Sequence, residues 1–155
     1  MSIGIIVYSQ TGNTLAAARQ LEHALAAKGH QAALEQIETT LPVKPGADPN
    51  VALKSAPDVE PYEVLVLAAP VWGGIPAAPM VKYLEQLPLL EGKQVACLVT
   101  GFFPAKWGSQ QAVARMTEMC AAKGGKMIGA GSVNRLTFGR KQKTAQLMQQ
   151  LTDLF

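Results

Sequence analysis

The chain has 155 residues, of which 48% are hydrophobic and 16% are charged. This balance excludes a disordered protein, and the length fits a single domain, residues 1–155, that buries a full hydrophobic core. The net charge is only +3 and most lysines and arginines are scattered, so we expect no nucleic acid as a partner. One loose basic group is interpreted as a solvated face; it consists of Arg135, Arg140, Lys141 and Lys143.

The two cysteines, Cys97 and Cys120, lack the spacing of a metal site and are expected to be free thiols in a reducing compartment. The amino terminus has no basic region of the kind that begins a signal peptide. No apolar run reaches the roughly 18 residues that a membrane-spanning helix needs. We therefore expect a cytoplasmic protein without a membrane span.

The first half of the chain contains two predicted strands and one helix. Residues 2–8 form a short apolar run, which is typical of a strand covered on both faces. Residues 14–28 have helical spacing of apolar side chains, and residues 31–37 alternate loosely, as an edge strand does. The proline-rich segment 38–61 predicts an irregular connection, with one helical turn at residues 51–55.

The second half continues the alternation of strands and helices. Two further buried strands are predicted at residues 64–69 and 95–100, and a last strand at residues 127–133. The intervening helices are predicted at residues 79–87 and 109–123, the second with Ser109 as its cap, and a final helix at residues 141–155. Right-handed crossovers then give an α/β fold with a doubly wound five-stranded parallel sheet and helices on both faces.

Ligands bind beyond the carboxyl ends of the strands in such a sheet. The loop after the first strand has hydroxyls, amides and a glycine at a helix N-terminus, where an anion can bind. Its residues are Ser9, Gln10, Thr11, Gly12, Asn13 and Thr14. Because no charged side chain precedes Arg19, a phosphate there would be held by N–H groups and hydroxyls alone. The alternative is an ordinary polar turn in which Thr14 caps the helix.

Aromatic residues concentrate in the two other loops at this edge. The loop after the third strand contains Pro70, Val71, Trp72, Gly73 and Gly74, and the loop after the fourth contains Thr100, Gly101, Phe102, Phe103, Trp107 and Gly108. Together with a phosphate loop, they favour a planar ring ligand, since stacking adds about 0.5–1.5 kcal/mol for each good contact. A satellite core or a protein interface remains the alternative.

The segment from Ser9 to Thr14 resembles the phosphate loop of the flavodoxin family, and the two aromatic loops resemble the segments that flank its flavin. The resemblance implies a strand order of 2-1-3-4-5 and FMN as the cofactor. It assigns the phosphate to residues 9–14 and the isoalloxazine to Trp72 with Phe102 or Phe103. The Gly73–Gly74 peptide then matches the one that flips to accept a hydrogen bond from reduced flavin N5. No catalytic acid or base is implied, because the electron chemistry belongs to the cofactor.

One departure from the family is electrostatic, because its electron carriers are usually acidic and this chain is basic. Neither aromatic loop contains a carboxylate and Lys106 is close, so we expect a hydroquinone couple higher than in acidic relatives. The leading function is electron transfer between redox partner proteins. The alternative is an FMN-dependent NAD(P)H reductase acting on quinones or similar acceptors, and a third possibility is a non-redox binding module. The sequence leaves the oligomeric state open.

The sequence lacks the residues that several other chemistries require. Aspartyl-phosphate chemistry needs carboxylates after the first strand, but no aspartate precedes Asp48. The segment Gly12-Asn13-Thr14 lacks the lysine of an ATP-binding P-loop. His23 and His30 have no partner at metal-ligand spacing, so no metal is expected.

Overall fold

The computed structural model describes residues 2–44, 51–101, 108–134 and 140–155. In these residues helices separate the five long strands except between β2 and β5, where two short strands lie instead. They are β1 (Ile3–Val7), α1 (Asn13–Ala27), β2 (Ala32–Gln36), β3 (Glu38–Thr39), β4 (Leu53–Ser55), β5 (Val64–Trp72), β6 (Ile75–Pro76), α2 (Ala78–Gln86), β7 (Gln94–Gly101), α3 (Ser109–Ala122), β8 (Lys126–Asn134) and α4 (Arg140–Thr152). No helix in the described parts of the chain is long and apolar enough to cross a membrane.

The main sheet has five parallel strands in the order β2-β1-β5-β7-β8. This confirms the predicted doubly wound parallel sheet, and it confirms that the second strand lies at an edge. The chain leaves β1 toward β2 on one side and later adds β5 on the other side. Strand order therefore reverses between β1 and β5, which is where an open α/β sheet forms its crevice.

Two apolar layers cover the sheet because successive side chains of a strand point to opposite faces. On one face, Ile5 of β1 packs in the cluster that contains Leu21 of α1 and Leu151 of α4. On the other face, Ile6 packs in the cluster that contains Leu84 of α2. The same second cluster includes Met116 of α3. Helices thus lie on both faces, as the apolar runs of the central strands predicted.

The two cysteines lie in the second apolar cluster, Cys97 on β7 and Cys120 on α3. Both are free thiols and both are buried. Contact with Cys120 and burial together raise the pKa of the Cys97 thiol. These side chains are therefore part of the core, as predicted for Cys97 from its apolar surroundings.

Two tyrosines, the half-buried Tyr62 and the buried Tyr83, form hydrogen bonds around the connection that precedes β5. The Tyr62 hydroxyl donates a hydrogen bond to the Glu35 carboxylate, and the Lys93 ammonium donates to the Tyr62 carbonyl at 2.6 Å. Burial, followed by the contact with Glu35, raises the pKa of Tyr62 to about 12. The Tyr83 hydroxyl donates to the Pro57 carbonyl at 2.6 Å, and burial raises its pKa as well.

The structure corrects the prediction for the proline-rich segment. Residues 53–55 form strand β4 rather than a helical turn, and β4 pairs antiparallel with β3. We call the segment from β3 to β4 the proline hairpin. Proline cannot continue a helix, and the prolines of this segment lie outside both short strands, so they disfavour a crossover helix without removing a donor from β3 or β4.

Several element boundaries also differ from the predictions. Strand β5 continues through Trp72, so Pro70, Val71 and Trp72 belong to a strand and not to a loop. Val71 and Trp72 continue the extended backbone because they pair antiparallel with β6. At the carboxyl terminus, α4 ends at Thr152, three residues before the predicted end at Phe155.

Candidate functional site

The carboxyl ends of the three central strands meet at one edge of the sheet. The register pairs Val7 of β1 with Ala68 of β5, and Pro70 of β5 with Thr100 of β7. The loops that follow these strands therefore begin side by side. We call this the cofactor edge, and it brings together the described residues of all three predicted loops.

The first loop presents uncharged donors to solvent. Gly12 is the N-cap of α1 with φ +92°, and its N–H donates to the Ser9 hydroxyl at 3.1 Å. The Asn13 side-chain amide donates to the Thr11 hydroxyl at 3.1 Å. Gln10, Thr11, Gly12 and Asn13 are exposed, and Ser9 is half-buried. The first backbone bond of α1 is donated by Ala16 to Gly12, so the preceding N–H groups lack intrahelical acceptors.

Thr14 is placed differently from its neighbours in the loop. Its side chain is 1% exposed, and its hydroxyl lies 2.6 Å from the hydroxyl of Thr100, which is 7% exposed. The helix is capped by Gly12, so the alternative in which the Thr14 side chain caps α1 is wrong. Thr14 can offer its backbone N–H to a ligand, while its side chain ties α1 to the end of β7.

The second loop is a tight hairpin turn at Gly73–Gly74. Both residues have positive φ, +62° and +81°, as type I′ turns require. The Trp72 indole is half-buried and packs edge-on against the Tyr8 ring, with centroids 5.9 Å apart. It also contacts a small apolar cluster that includes Val43 of the proline hairpin. Part of Trp72 is thus covered by the protein itself, as the satellite-core alternative predicted.

The third loop contacts the second through two glycines. A Cβ on Gly108 would lie 3.1 Å from the Gly74 Cα, and Gly108 has φ +141°. The approach of these backbones is therefore possible only without a side chain at position 108. Gly101 is half-buried and Gly108 is buried. Phe102, Phe103 and Trp107 lie outside the described residues.

Gly108, and not Ser109, is the N-cap of α3. Ser109 was predicted to cap this helix, but its hydroxyl instead donates to the Asn134 side-chain oxygen at 2.6 Å. The Asn134 amide in turn donates to the Ser132 hydroxyl at 2.9 Å. Both Ser109 and Asn134 are buried. Asn134 ends β8, so the last strand also supports this edge, which the sequence pattern did not indicate.

The proline hairpin forms one wall beside the first loop. The Gln10 side-chain amide donates to the Val43 carbonyl and joins the loop to the hairpin. Between them lies an open cavity of about 400 Å³, lined by residues that include Ser9, Gln10, Glu38 and Lys54. The sequence pattern does not indicate this cavity, because nothing in the pattern indicates the hairpin that forms its wall.

The donor set of this edge fits a phosphate ester carried on a ring compound. Unpaired amides at the start of α1 and the Thr11 and Asn13 side chains can donate to phosphate oxygens. Each hydrogen bond to a charged group contributes about 1.5–3 kcal/mol, so several can offset the loss of hydration. In the described parts of the chain, no group of three His, Cys, Asp or Glu side chains could hold a metal ion.

Comparisons with known proteins agree with this geometry. The family model of flavodoxin matches residues 5–150. Flavodoxin 2 from Bacillus cereus is 21% identical, with a TM-score of 0.71 and 100% of both chains covered. A flavodoxin from Streptococcus pneumonia TIGR4 is 16% identical, with a TM-score of 0.70 and 100% of both chains covered.

A Fusobacterium nucleatum flavodoxin bound to flavin mononucleotide is 17% identical; 99% of this chain and 98% of that chain are covered, with a TM-score of 0.68. No curated protein matched the sequence. At these identities the solved structures establish the fold, including the strand order that the resemblance implied. Because the family match extends over nearly the whole sequence, the chain belongs to the flavodoxin family, whose cofactor is FMN.

Proposed function

We propose that this chain holds FMN across the three loops of the cofactor edge and carries electrons between redox partner proteins. The observation that carries the proposal is the uncharged first loop, in which exposed donors surround the start of α1. The chain's family and the FMN-bound relative from Fusobacterium nucleatum support it. FMN, when bound, supplies a ring that accepts and releases electrons.

The protein's own contribution is binding and orientation. The N–H groups at the start of α1, with the Thr11 and Asn13 side chains, hold the phosphate without a counter-cation. The exposed face of Trp72 and the third loop enclose the ring. Gly73 is exposed and a Cβ there would meet nothing within 4 Å. Because glycine adopts both positive and negative φ, a rotation of its peptide that offers the carbonyl to the cofactor meets little steric resistance.

The phosphate assignment is tested by comparing FMN with riboflavin, which lacks the phosphate. Thr11→Ala removes one donor to a charged group, and a loss of about 1.5–3 kcal/mol weakens FMN binding by about 10- to 150-fold. Riboflavin binding changes by less than about threefold, since the donor does not reach the ring. Fluorescence titration of the apoprotein measures both dissociation constants.

Thr40→Ala is the matched control, because Thr40 is exposed and lies outside the first loop. It leaves both affinities unchanged. Gly12→Val places a branched residue at φ +92°; the strain displaces the N–H groups at the start of α1, so FMN is weakened more than riboflavin. Equal losses for the two ligands in Thr11→Ala would contradict the phosphate assignment.

The carrier function is separated from its alternatives by activity. A carrier exchanges electrons with redox proteins and consumes NADPH only when a reductase is added. Rapid NADPH oxidation by the purified chain with a quinone acceptor would instead support the reductase. A colourless protein that does not bind added FMN would support the non-redox module.

A further inference from the structure

Charged side chains are divided between the two edges of the sheet. In a parallel sheet, all strands begin at one edge and end at the other, so charges in the connections collect at one edge or the other. The connections before β5 and β7 lie at the amino edge and carry exposed carboxylates, Asp58, Glu60, Glu63 and Glu91. Lysines lie at this edge as well, but with Glu85 and Asp153 at the ends of α2 and α4 the carboxylates outnumber them; these lysines are Lys28, Lys93, Lys123 and Lys126.

The cofactor edge carries the opposite sign. Exposed lysines flank it on both sides, Lys44 and Lys54 near the proline hairpin and Lys141 and Lys143 at the start of α4. Among the described residues, Glu38 supplies the one carboxylate at this edge, beside Lys54 in the wall of the same cavity. The three loops that hold the cofactor add no carboxylate at all. This edge is therefore positively charged although the whole chain is nearly balanced.

The start of α4 lies directly beside the first loop. Thr144 of α4 lines a cavity of about 110 Å³ together with Asn13 and Thr100. At the far ends of the same two helices, the Lys28 ammonium forms an ion pair with the Asp153 carboxylate. Helices α1 and α4 thus run side by side in the same direction. Lys141 and Lys143 consequently flank the phosphate-binding loop.

These lysines add to the field of the helix instead of cancelling it. The first turn of α4 contains no acidic residue, and the N-terminus of a helix carries partial positive charge. Basic residues at this position are unfavourable for the helix taken alone. Their presence produces a concentrated positive potential on the side of the cofactor edge that faces away from the proline hairpin.

Exposed apolar side chains lie within the same surface. Leu41 of the proline hairpin is 74% exposed, and Ile75 next to the Gly73–Gly74 turn is 38% exposed. Protein interfaces combine apolar contacts at their centre with a charged, hydrated rim. The cofactor edge has both components, with Leu41 in the proline hairpin and Ile75 beside the Gly73–Gly74 turn.

We propose that the cofactor edge docks an acidic redox protein, whose surface carboxylates meet Lys44 and Lys54 on one flank and Lys141 and Lys143 on the other. The proposal rests on the proposed function, because it names the partner of that site. The two flanks border the same first loop, because the Gln10 side chain joins that loop to the proline hairpin and Thr144 of α4 lines a cavity with Asn13. Two separate pairs of lysines around one loop suit a protein surface with several carboxylates better than one small anionic ligand.

The test uses two haem proteins of similar size and opposite charge as probes, the acidic cytochrome b5 and the basic cytochrome c. The isotope-labelled, FMN-loaded chain is titrated with each probe, and NMR shifts of its backbone amides locate the contact. We expect cytochrome b5 to perturb the amides at and beside the four lysines at low salt. Raising the salt concentration weakens this binding, because exposed charge pairs are screened.

Charge-reversal variants then test whether the lysines at the start of α4 contact the acidic partner. The double variant Lys141→Glu/Lys143→Glu raises the dissociation constant for cytochrome b5 by about tenfold, since two exposed charge pairs are lost. The matched control is Lys126→Glu, an exposed lysine at the opposite end of β8, which changes the constant by less than about twofold. Thermal unfolding of each variant confirms that it is folded before binding is measured.

Three outcomes would overturn the proposal: equal or stronger binding of cytochrome c, amide shifts located away from the cofactor edge, or an equal effect of Lys126→Glu. Binding of vesicles that contain phosphatidylserine and binding of a short DNA duplex are measured in the same way. Tighter binding of either than of cytochrome b5 would replace the protein partner by a membrane or a nucleic acid. A chain that binds FMN and transfers electrons but prefers the basic probe would refute only this inference and not the proposed function.

Discussion

Replacing Thr100 with valine would leave a buried hydroxyl without its partner. Thr14 and Thr100 are 1% and 7% exposed, and their hydroxyl oxygens are 2.6 Å apart. Valine has nearly the same shape as threonine, so the change removes the hydrogen bond with little change in packing. A buried polar group left unpaired costs about 1–3 kcal/mol. We expect Thr100→Val to lower the free energy of unfolding of the apoprotein by that amount.

The double variant distinguishes this hydrogen bond from packing. Thr14→Val alone leaves the Thr100 hydroxyl unpaired and has a similar cost, but Thr14→Val/Thr100→Val leaves no unpaired group. The double variant is therefore about as stable as either single variant, or more so, and the coupling energy is about 1–3 kcal/mol. Urea unfolding followed by far-UV circular dichroism measures all four proteins, with an unchanged m-value as the check on two-state behaviour.

Additive losses would refute the reasoning. If the double variant lost the sum of the two single losses to within about 0.5 kcal/mol, the two hydroxyls would not be coupled. A thermal scan gives an independent check, since each kcal/mol corresponds to about 2–4 °C in Tm for a chain of this length. Because Thr14 lies in the first turn of α1, FMN affinity should follow the same order as stability among the four proteins.

Two further predictions concern other parts of the fold. Gly108→Ala puts a Cβ 3.1 Å from the Gly74 Cα and should weaken FMN and riboflavin equally, because it displaces the second loop. The control is Gly92→Ala, with φ +81° and open space around it, which should lower stability but leave both affinities unchanged. A selective loss of FMN binding in Gly108→Ala would argue against displacement of the loop. The Tyr62 phenol keeps its proton to about pH 12 in the folded chain but only to about pH 10 when unfolded. Its contribution to stability should therefore be complete below pH 10 and disappear as the pH rises through 12. Tyrosinate absorbance checks this: a tyrosine that titrates near pH 10 in the parent but is lost in Tyr62→Phe would contradict the assignment.

The sheet was predictable where strands are buried on both faces. Strands β1, β5 and β7 appear in the sequence as continuous apolar runs, because helices cover both of their faces. Strands β3 and β4 have only two and three residues, which is too short for a periodic pattern. Their pairing depends on a contact across the proline-rich segment, and no local signal identifies it.

The candidate site was predictable where it is local in sequence. The first loop is a run of six consecutive residues, so its hydrogen-bond donors are neighbours in the sequence as well as in the structure. The Thr14–Thr100 hydrogen bond joins residues 86 positions apart, and the Ser109–Asn134 bond joins residues 25 apart. Such contacts depend on the register of the strands, which the apolar pattern does not determine. For this reason Ser109 was interpreted as a cap rather than as a partner of β8.

Because Cys97 and Cys120 are both buried, the reactivity of their thiols reports unfolding of the chain. Both thiols are sealed between β7 and α3, so an alkylating reagent reaches them only after these elements separate. With reagent in excess, the rate of modification equals the rate of opening; with less reagent, it follows the fraction of open molecules. Mass spectrometry of untreated and FMN-loaded samples can therefore compare how often the core opens, without any engineered probe.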